Sequence, residues 1–300
     1  MRVGFIGIGN MGWPMATNLV RKGFPVSVLD ARTGAAERFA AEVGGKAAAS
    51  PAALAAASEV VITMLPTSAD VRAVLTEGND NVLSGLPESA IVIDMTSGQP
   101  AVTRDLAAEV LKRGASMIDA PVSGGVPRAR SGELAIMVGG EAAALARARP
   151  VLEAMGTTIL HTGAVGSGQA MKALNNLVSA GGFLIGIEAL MIGARFGLDP
   201  ALMVDVLNAS SGKNNSTEKK FKQAVLSRRF DSGFALDLMV KDISIALELG
   251  HSTATPAPFS ALCRELWAAA SSQLGPGHDH TEVTQLVERL AGQELPQSGC

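Results

Sequence analysis

The chain has 300 residues, 47% apolar and 18% charged, with a formal net charge of −3. That length favours two cores over one. The low charged fraction excludes extended disorder, and the mixed charges leave no basic surface for nucleic acid or an anionic membrane. The only cysteines, Cys263 and Cys300, have no metal-ligand spacing and form no disulfide framework, so a metal-free site and a reducing, cytoplasmic setting are expected.

The N-terminus, MRVGFIGIGNMG, lacks the apolar run of a signal peptide and leads straight into a motif. The first half alternates short β-rich runs with helical patterns. Strands are predicted at Val3–Gly7, Val26–Asp30, Val60–Leu65, Ile91–Met95, Ser116–Asp119, Leu134–Val138 and Thr158–His161. Alanine-rich helices are predicted between them, at Gly34–Val43, Ala69–Leu75, Ala101–Arg113 and Glu141–Met155. Such alternation implies a parallel sheet covered on both faces.

From about Gly166 only helices are predicted: Gln169–Phe196, Pro200–Asn208, Glu218–Ser227, Leu236–Leu249, Pro258–Ala270 and Glu282–Ala291. The change of character near Gly163–Gly168 sets a boundary between an α/β domain, residues 1–163, and an all-helical one, residues 164–300. Leu177–Ala194 is long and apolar, but it contains Glu188 and four glycines and starts beside Asn175 and Asn176. It reads as the central helix of a soluble protein rather than a membrane span. Its glycine-spaced face suits helix–helix contact in a homodimer or homotetramer. Gly275–His280 reads as an exposed loop and Gln293–Cys300 as a frayed tail.

Gly7-Ile8-Gly9-Asn10-Met11-Gly12 is G-x-G-x-x-G, placed after a predicted strand and opening a helix. The glycines serve a tight turn, close approach of a pyrophosphate and tight helix–strand packing. The helix start then offers free N–H groups to the phosphates. Asp30 closes the second strand, where a carboxylate accepts hydrogen bonds from a ribose 2′-hydroxyl and repels a 2′-phosphate. That points to NAD. Arg32, just beyond, keeps NADP as the alternative.

Ligands in open parallel sheets sit beyond the carboxyl ends of the strands. Met64-Leu65-Pro66 is either core with a proline stop or an adenosine contact through Leu65. Ser97, in Asp94-Met95-Thr96-Ser97-Gly98, is either a helix cap or a contact for the nicotinamide half. Ser123-Gly124-Gly125 offers a hydroxyl and successive backbone N–H groups, a concave set suited to a carboxylate substrate. In GSGQAMKALNN, residues 166–176, Lys172 follows a glycine-rich helix start and Asn176 is its neighbour one turn on. Lys172 is the candidate proton donor. A free lysine has a pKa near about 10.4, so burial and the positive helix start must lower it for acid–base work. Lys213, in a polar run from Asn208 to Asn215, is either a further anion contact or a loop charge.

With GFIGIGNMGWPMATNL, DAPVSGG, GSGQAMKALNN and Lys241-Asp242 in order along nearly its whole length, the chain resembles the β-hydroxyacid dehydrogenase family. That group contains 3-hydroxyisobutyrate dehydrogenase and tartronate semialdehyde reductase. The resemblance implies an N-terminal Rossmann-type dinucleotide-binding domain, an all-α C-terminal domain built on one long central helix, and oxidoreduction of short 3-hydroxy acids. It implies Lys172 as the catalytic residue, Ser123, Gly124 and Gly125 as the substrate loop, Asn176 as a substrate contact and Lys241 as a lysine reaching the cofactor. From its residues alone Lys241-Asp242 reads as a solvated pair. The family's D-x-S-T strand end appears here as Asp94-Met95-Thr96-Ser97. Gly98 and Gln99 replace a frequently bulkier apolar residue, which predicts a wider or more polar pocket. Asp30-Ala31-Arg32-Thr33 replaces the Asn-Arg-Thr of many NADP users. Alternatives within the fold are an NADPH-dependent reductase of small aldehydes (glyoxylate or succinic semialdehyde), and an imine reductase, against which Lys172 argues. From a different class, a non-catalytic dinucleotide-binding module remains.

Overall fold

A computed structural model describes residues 1–296. The chain divides into two compact units, the first ending at Lys172 and the second beginning at Ala173. The first unit holds nine strands: β1 (Val3–Ile6), β2 (Val26–Leu29), β3 (Lys46–Ala47), β4 (Val60–Thr63), β5 (Ile91–Asp94), β6 (Ser116–Asp119), β7 (Val122–Ser123), β8 (Leu134–Gly139) and β9 (Gly156–Gly163). Its helices are α1 (Gly12–Arg21), α2 (Ala35–Glu42), α3 (Pro51–Ala56), α4 (Ser68–Thr76), α5 (Val82–Gly85), α6 (Pro100–Lys112), α7 (Gly125–Ser131) and α8 (Ala142–Glu153). All seven predicted strands form, and β3 and β7 are additional short ones.

The sheet order is β3-β2-β1-β4-β5-β6-β8-β7, with β9 beside β8. Strands β1 to β6 are mutually parallel. The expectation of a wholly parallel sheet needs correcting. β8 runs antiparallel to both β6 and β7; residues 124–133, which join β7 to β8, fall short of the crossover of about a dozen or more residues that parallel strands require. The strand sequence reverses direction between β1 and β4, which opens a crevice beyond their carboxyl ends.

Alternation along the strands supplies two cores. Phe5, Val28, Ile62 and Ile93 pack with Met15 and Leu19 of α1 and Phe39 of α2 on one face. Ile6, Val61 and Val92 pack with Leu54, Val71, Leu75 and Leu106 on the other. Strands buried on both faces read as continuous apolar runs, which is why they were legible in the sequence.

The second unit is helical around α9 (Ser167–Phe196), with α10 (Pro200–Asn208), α11 (Asn215–Lys219), α12 (Leu236–Ser252), α13 (Pro258–Leu274) and α14 (Thr284–Ala291). By length and composition α9 could cross a membrane (mean hydropathy 1.8), but half of that apolar window is buried. Phe183, Ile187, Leu190 and Met191 form the unit's core with Phe221, Ile243 and Trp267.

Three expectations change here. The predicted helix Glu218–Ser227 is α11 followed by a π-helical turn at Phe221–Leu226. Asn214 caps the chain four residues earlier, accepting from the N–H groups of Ser216 and Thr217, and the wide turn seats Phe221 against Gly186. Gly275–His280 is not wholly exposed: His280 is 2% accessible, stacked on Trp267 and edge-on to Phe234. The start of the tail is held, since Leu295 is buried and its N–H reaches Glu288 at 2.9 Å. The rest of the tail from residue 297, with Cys300, lies outside the described residues.

Candidate active site

The G-x-G-x-x-G turn links β1 to α1, and its glycines divide the work as their spacing implies. Gly7 has φ +93°, and a Cβ there would lie 2.3 Å from the Met64 carbonyl oxygen. At Gly12 a Cβ would lie 1.9 Å from the Gly7 carbonyl oxygen, so helix and strand close up only without a side chain. A Cβ at Gly9 would meet nothing within 4 Å among the described residues. That glycine therefore answers no internal contact; it leaves room over the loop. Met11 stands before α1 and supplies no side-chain cap, so Asn10, Met11 and Gly12 carry the backbone of an uncapped helix start, suited to a pyrophosphate.

Asp30, at the end of β2, accepts from the Ile8 N–H at 2.8 Å. Arg32 folds back on it, with Nε at 2.8 Å from Oδ1, and also reaches the Ile8 carbonyl at 3.0 Å. Burial works against the charge on Asp30, but the hydrogen bonds from Arg32 and Ile8 prevail and hold its carboxyl below the usual range. The carboxylate is thus ionised and pinned at the end of β2, with Arg32 drawn toward it.

Two further strand ends face the same crevice. Leu65 follows β4 and packs over Gly7, its Cδ2 2.8 Å from where a Cβ would stand. Its N–H donates to the Thr96 hydroxyl at 3.0 Å. Ser97 follows β5 and is half-buried. Gly98 does not simply widen a pocket: a Cβ there would lie 2.4 Å from the Ser68 hydroxyl, and its N–H is held by Gln169 at 2.8 Å.

Ser123 ends the short strand β7, and Gly124 and Gly125 follow at φ +133° and +65°, both exposed. Such backbone is open to glycine and disfavoured for other residues. Lys172 lies in the second turn of α9 and is only 8% exposed. The chain keeps it there by tying the start of α9 to the sheet. Asp119, ending β6, accepts from the Gly166 N–H at 2.6 Å and the Gln169 N–H at 2.8 Å.

In the second unit, Asn176 is buried and donates to Asp242 at 2.5 Å. Asp242, 2% exposed, also pairs with Lys241 at 3.4 Å. Lys241-Asp242 is therefore no solvated pair: Asp242 joins the two residues that the resemblance singles out in that unit. Lys213 pairs with Glu218 of α11 at 3.1 Å with both side chains about half exposed.

Sequence reasoning passed over Asp119, Gln169 and Thr96 as working residues. The signal available for Asp119 and Gln169 was their place inside DAPVSGG and GSGQAMK. Their partners lie far off along the chain.

Residues 2–163 match the family described as the NAD binding domain of 6-phosphogluconate dehydrogenase. Residues 166–287 match the NAD-binding region of NADP-dependent 3-hydroxyisobutyrate dehydrogenase. The mitochondrial 3-hydroxyisobutyrate dehydrogenase of Mus musculus is 38% identical over 291 residues, 95% of this chain and 86% of that protein. The NAD-dependent L-serine dehydrogenase of Pseudomonas aeruginosa is 35% identical over 298 residues, 97% of this chain and 99% of that protein. A solved structure of Mycobacterium tuberculosis 3-hydroxyisobutyrate dehydrogenase with L-serine superposes with a TM-score of 0.88 at 33% identity, covering 96% of this chain and 99% of that one. With these matches spanning both units, the chain belongs to the β-hydroxyacid dehydrogenase family and is an NAD-binding oxidoreductase of hydroxy acids.

Proposed function

We propose that the protein interconverts a short 3-hydroxy acid and its semialdehyde, of the 3-hydroxyisobutyrate or tartronate semialdehyde type, with Lys172 as general acid and base. The observation that carries this reading is Lys172 itself. A lysine only 8% exposed, on a helix tied by its first turn to the dinucleotide-binding sheet, is a buried titratable group next to the glycine-turn end of that sheet, the kind of place where acid–base groups are found.

Gly7, Gly9, Asn10, Met11 and Gly12 hold the pyrophosphate, Asp30 the adenosine ribose, Leu65 the adenosine side and Ser97 the nicotinamide half, with Lys241 a further cofactor contact. The bound dinucleotide supplies the hydride acceptor for oxidation and the donor for reduction. Asp30, ionised and fixed, favours NAD over NADP. Ser123, Gly124 and Gly125 take the substrate carboxylate through a hydroxyl and backbone N–H groups. In oxidation neutral Lys172 accepts the hydroxyl proton as the C–H hydride departs. In reduction its ammonium gives a proton to the aldehyde oxygen as negative charge grows there. Asn176, one turn further along the same helix, contacts the substrate with its amide orientation set by Asp242.

3-Hydroxyisobutyrate and L-serine, which figure in the names of the relatives, are both 3-hydroxypropanoates that differ in the substituent on carbon 2. The loop and Lys172 address the shared carboxylate and hydroxyl. Initial rates over a panel of 2-substituted 3-hydroxy acids with NAD and NADP test this. Activity on 3-hydroxy acids, abolished in Lys172→Ala, supports the reading. No activity on any of them, or near-normal turnover without Lys172, overturns it.

A second copy of the chain is the proposed partner. Val178, Ile185 and Ile192 recur every seventh residue on α9 and are 76%, 54% and 72% exposed, followed by Phe196 at 84%. Glu188 and Arg195 are exposed on the same side. A second copy packed on this face about a two-fold axis covers the apolar stripe of both chains.

A further inference from the structure

The start of α9 is built with more care than a helix end requires. Asp119 is fully buried, and each of its carboxylate oxygens accepts one N–H, from Gly166 and from Gln169. Two glycines keep space for it. A Cβ on Gly139 would lie 2.5 Å from Oδ1, and one on Gly168 would lie 2.8 Å from Oδ2 and 2.4 Å from the Met137 carbonyl oxygen. Gly168 of GSGQAMK and Gly139 of β8 thus let a carboxylate from β6 seat against the helix start.

Gln169 makes the second attachment. It is 1% exposed. Its Oε1 accepts from the Gly98 N–H at 2.8 Å, and its Nε2 donates to the Thr96 carbonyl at 2.7 Å. The amide therefore grips the backbone on both sides of Ser97. Nε2 also lies 3.4 Å from Asp94 Oδ2. Lys172 follows Gln169 by three residues and is its neighbour on the helix surface. Two directional attachments at the helix start, one to β6 and one to the segment after β5, leave the helix little freedom to rotate or slide. Reaction rates are sensitive to such freedom, a misplacement of about 1 Å costing roughly 100-fold.

We propose that Asp119 and Gln169 are positioning residues that fix Lys172 relative to the Ser97 segment, and hence relative to the carbon that gains or loses hydride. The inference rests on Lys172 being the proton-transfer group.

The test uses purified full-length enzyme, with turnover expressed per folded active site, alongside cofactor affinity and melting temperature. Gln169→Ala and Asp119→Asn should lower kcat roughly 10- to 100-fold, while NAD affinity stays within about threefold, because the pyrophosphate and ribose contacts lie elsewhere. Gln169→Glu adds a readout that a merely structural role does not move. The ionised variant side chain cannot donate to the Thr96 carbonyl; the protonated one can. The charged groups facing it are Asp94 from β5 and Asp119 from β6, with Lys172 on its own helix. Its kcat relative to wild type should therefore rise as pH falls, while that of Gln169→Ala stays flat.

A fall in melting temperature with kcat unchanged, or a Gln169→Glu ratio independent of pH, overturns the proposal. If Gln169→Ala does not fold, the isosteric Gln169→Glu still decides. Lys172→Ala separates the two readings. If it is inactive while the Gln169 and Asp119 variants turn over normally, only the positioning role fails. If it is active, the assignment of Lys172 fails.

Discussion

Replacing Asp30 with alanine should convert an NAD enzyme into one that prefers NADP. The carboxylate is ionised and held by the Ile8 N–H at 2.8 Å and by Arg32 through its N–H at 2.9 Å, Nε at 2.8 Å and a terminal nitrogen at 3.1 Å, so a ribose hydroxyl binds it by taking the place of one of the Arg32 side-chain contacts. Losing a hydrogen bond to a charged group costs about 1.5–3 kcal/mol, which is roughly a 10- to 150-fold rise in the NAD dissociation constant. The effect on NADP has the opposite sign. Removing the carboxylate ends its repulsion of a 2′-phosphate and releases Arg32, whose Nε and terminal nitrogen it now holds. One new charge-assisted hydrogen bond to phosphate contributes a similar amount. Together these change the NAD-to-NADP ratio of kcat/KM by roughly 10²- to 10⁴-fold. The assay is the initial rate with each cofactor at saturating substrate, followed by reduced-nicotinamide absorbance. The double variant Asp30→Ala with Arg32→Ala should keep the NAD loss and forfeit the NADP gain. A wild-type preference for NADP, or an unchanged ratio in Asp30→Ala, refutes the reasoning and makes Arg32 the determinant.

Other perturbations give separate tests. Lys172→Ala should lower turnover by roughly 10²- to 10⁴-fold with NAD binding, read by calorimetry, nearly intact. Val178→Asp combined with Ile185→Asp should shift the sedimentation coefficient to that of a monomer at unchanged folding; a mass identical to wild type rejects the α9 stripe as the contact. Asp94→Asn should raise the melting temperature at pH 7.5 and leave it unchanged at pH 4, an equal effect at both pH values being the contrary result.

The strands and the cofactor turn were legible because local pattern and tertiary role coincide. β1, β4 and β5 are short apolar runs, mostly Val and Ile with Phe5 in β1, buried on both faces, and a doubly covered sheet demands that. The Gly7–Gly12 turn could be read because Gly7 and Gly12 meet steric demands set within the turn or by the adjoining strand end. The antiparallel return at β7 and β8 was not legible, since two residues of strand carry no periodicity. His280 was misread for a similar reason. GPGHDH has the composition of a loop, and what buries its last residue is Trp267 and Phe183, distant in sequence. Lys172 stood out as a residue type in an odd place. Asp119 and Gln169, on which its placement depends, did not: a carboxylate that accepts N–H groups nearly fifty residues away has no local signature.

The Asp94 prediction connects stability to the site. Burial pushes its carboxyl up to about 6 against hydrogen bonds from Thr63 and Thr96 that favour the charge; burial also raises Asp119 despite the N–H groups of Gly166 and Gln169 that favour its charge. An acid whose folded pKa lies above its unfolded value binds its proton more tightly when folded. Native stability therefore falls as pH rises from about 4 to about 6, and the full cost persists above that range. For a displacement from 3.8 to about 6 the cost is at most about 3 kcal/mol. Asparagine removes it while retaining the oxygen that accepts from Thr63 at 2.9 Å and from the Thr96 N–H at 3.1 Å. It also turns an amide donor toward Gln169 Nε2, which now lies 3.4 Å from Asp94 Oδ2. The more stable variant should thus be the slower one, because the exchange that removes the buried charge also disturbs the amide that holds the Ser97 segment to the Lys172 helix. Two buried acids on adjacent strands are a poor way to build a core and a good way to orient a neighbouring amide and a helix start. Their presence at those two strand ends, and the convergence of both on Gln169, locates where this fold gives up stability for geometry.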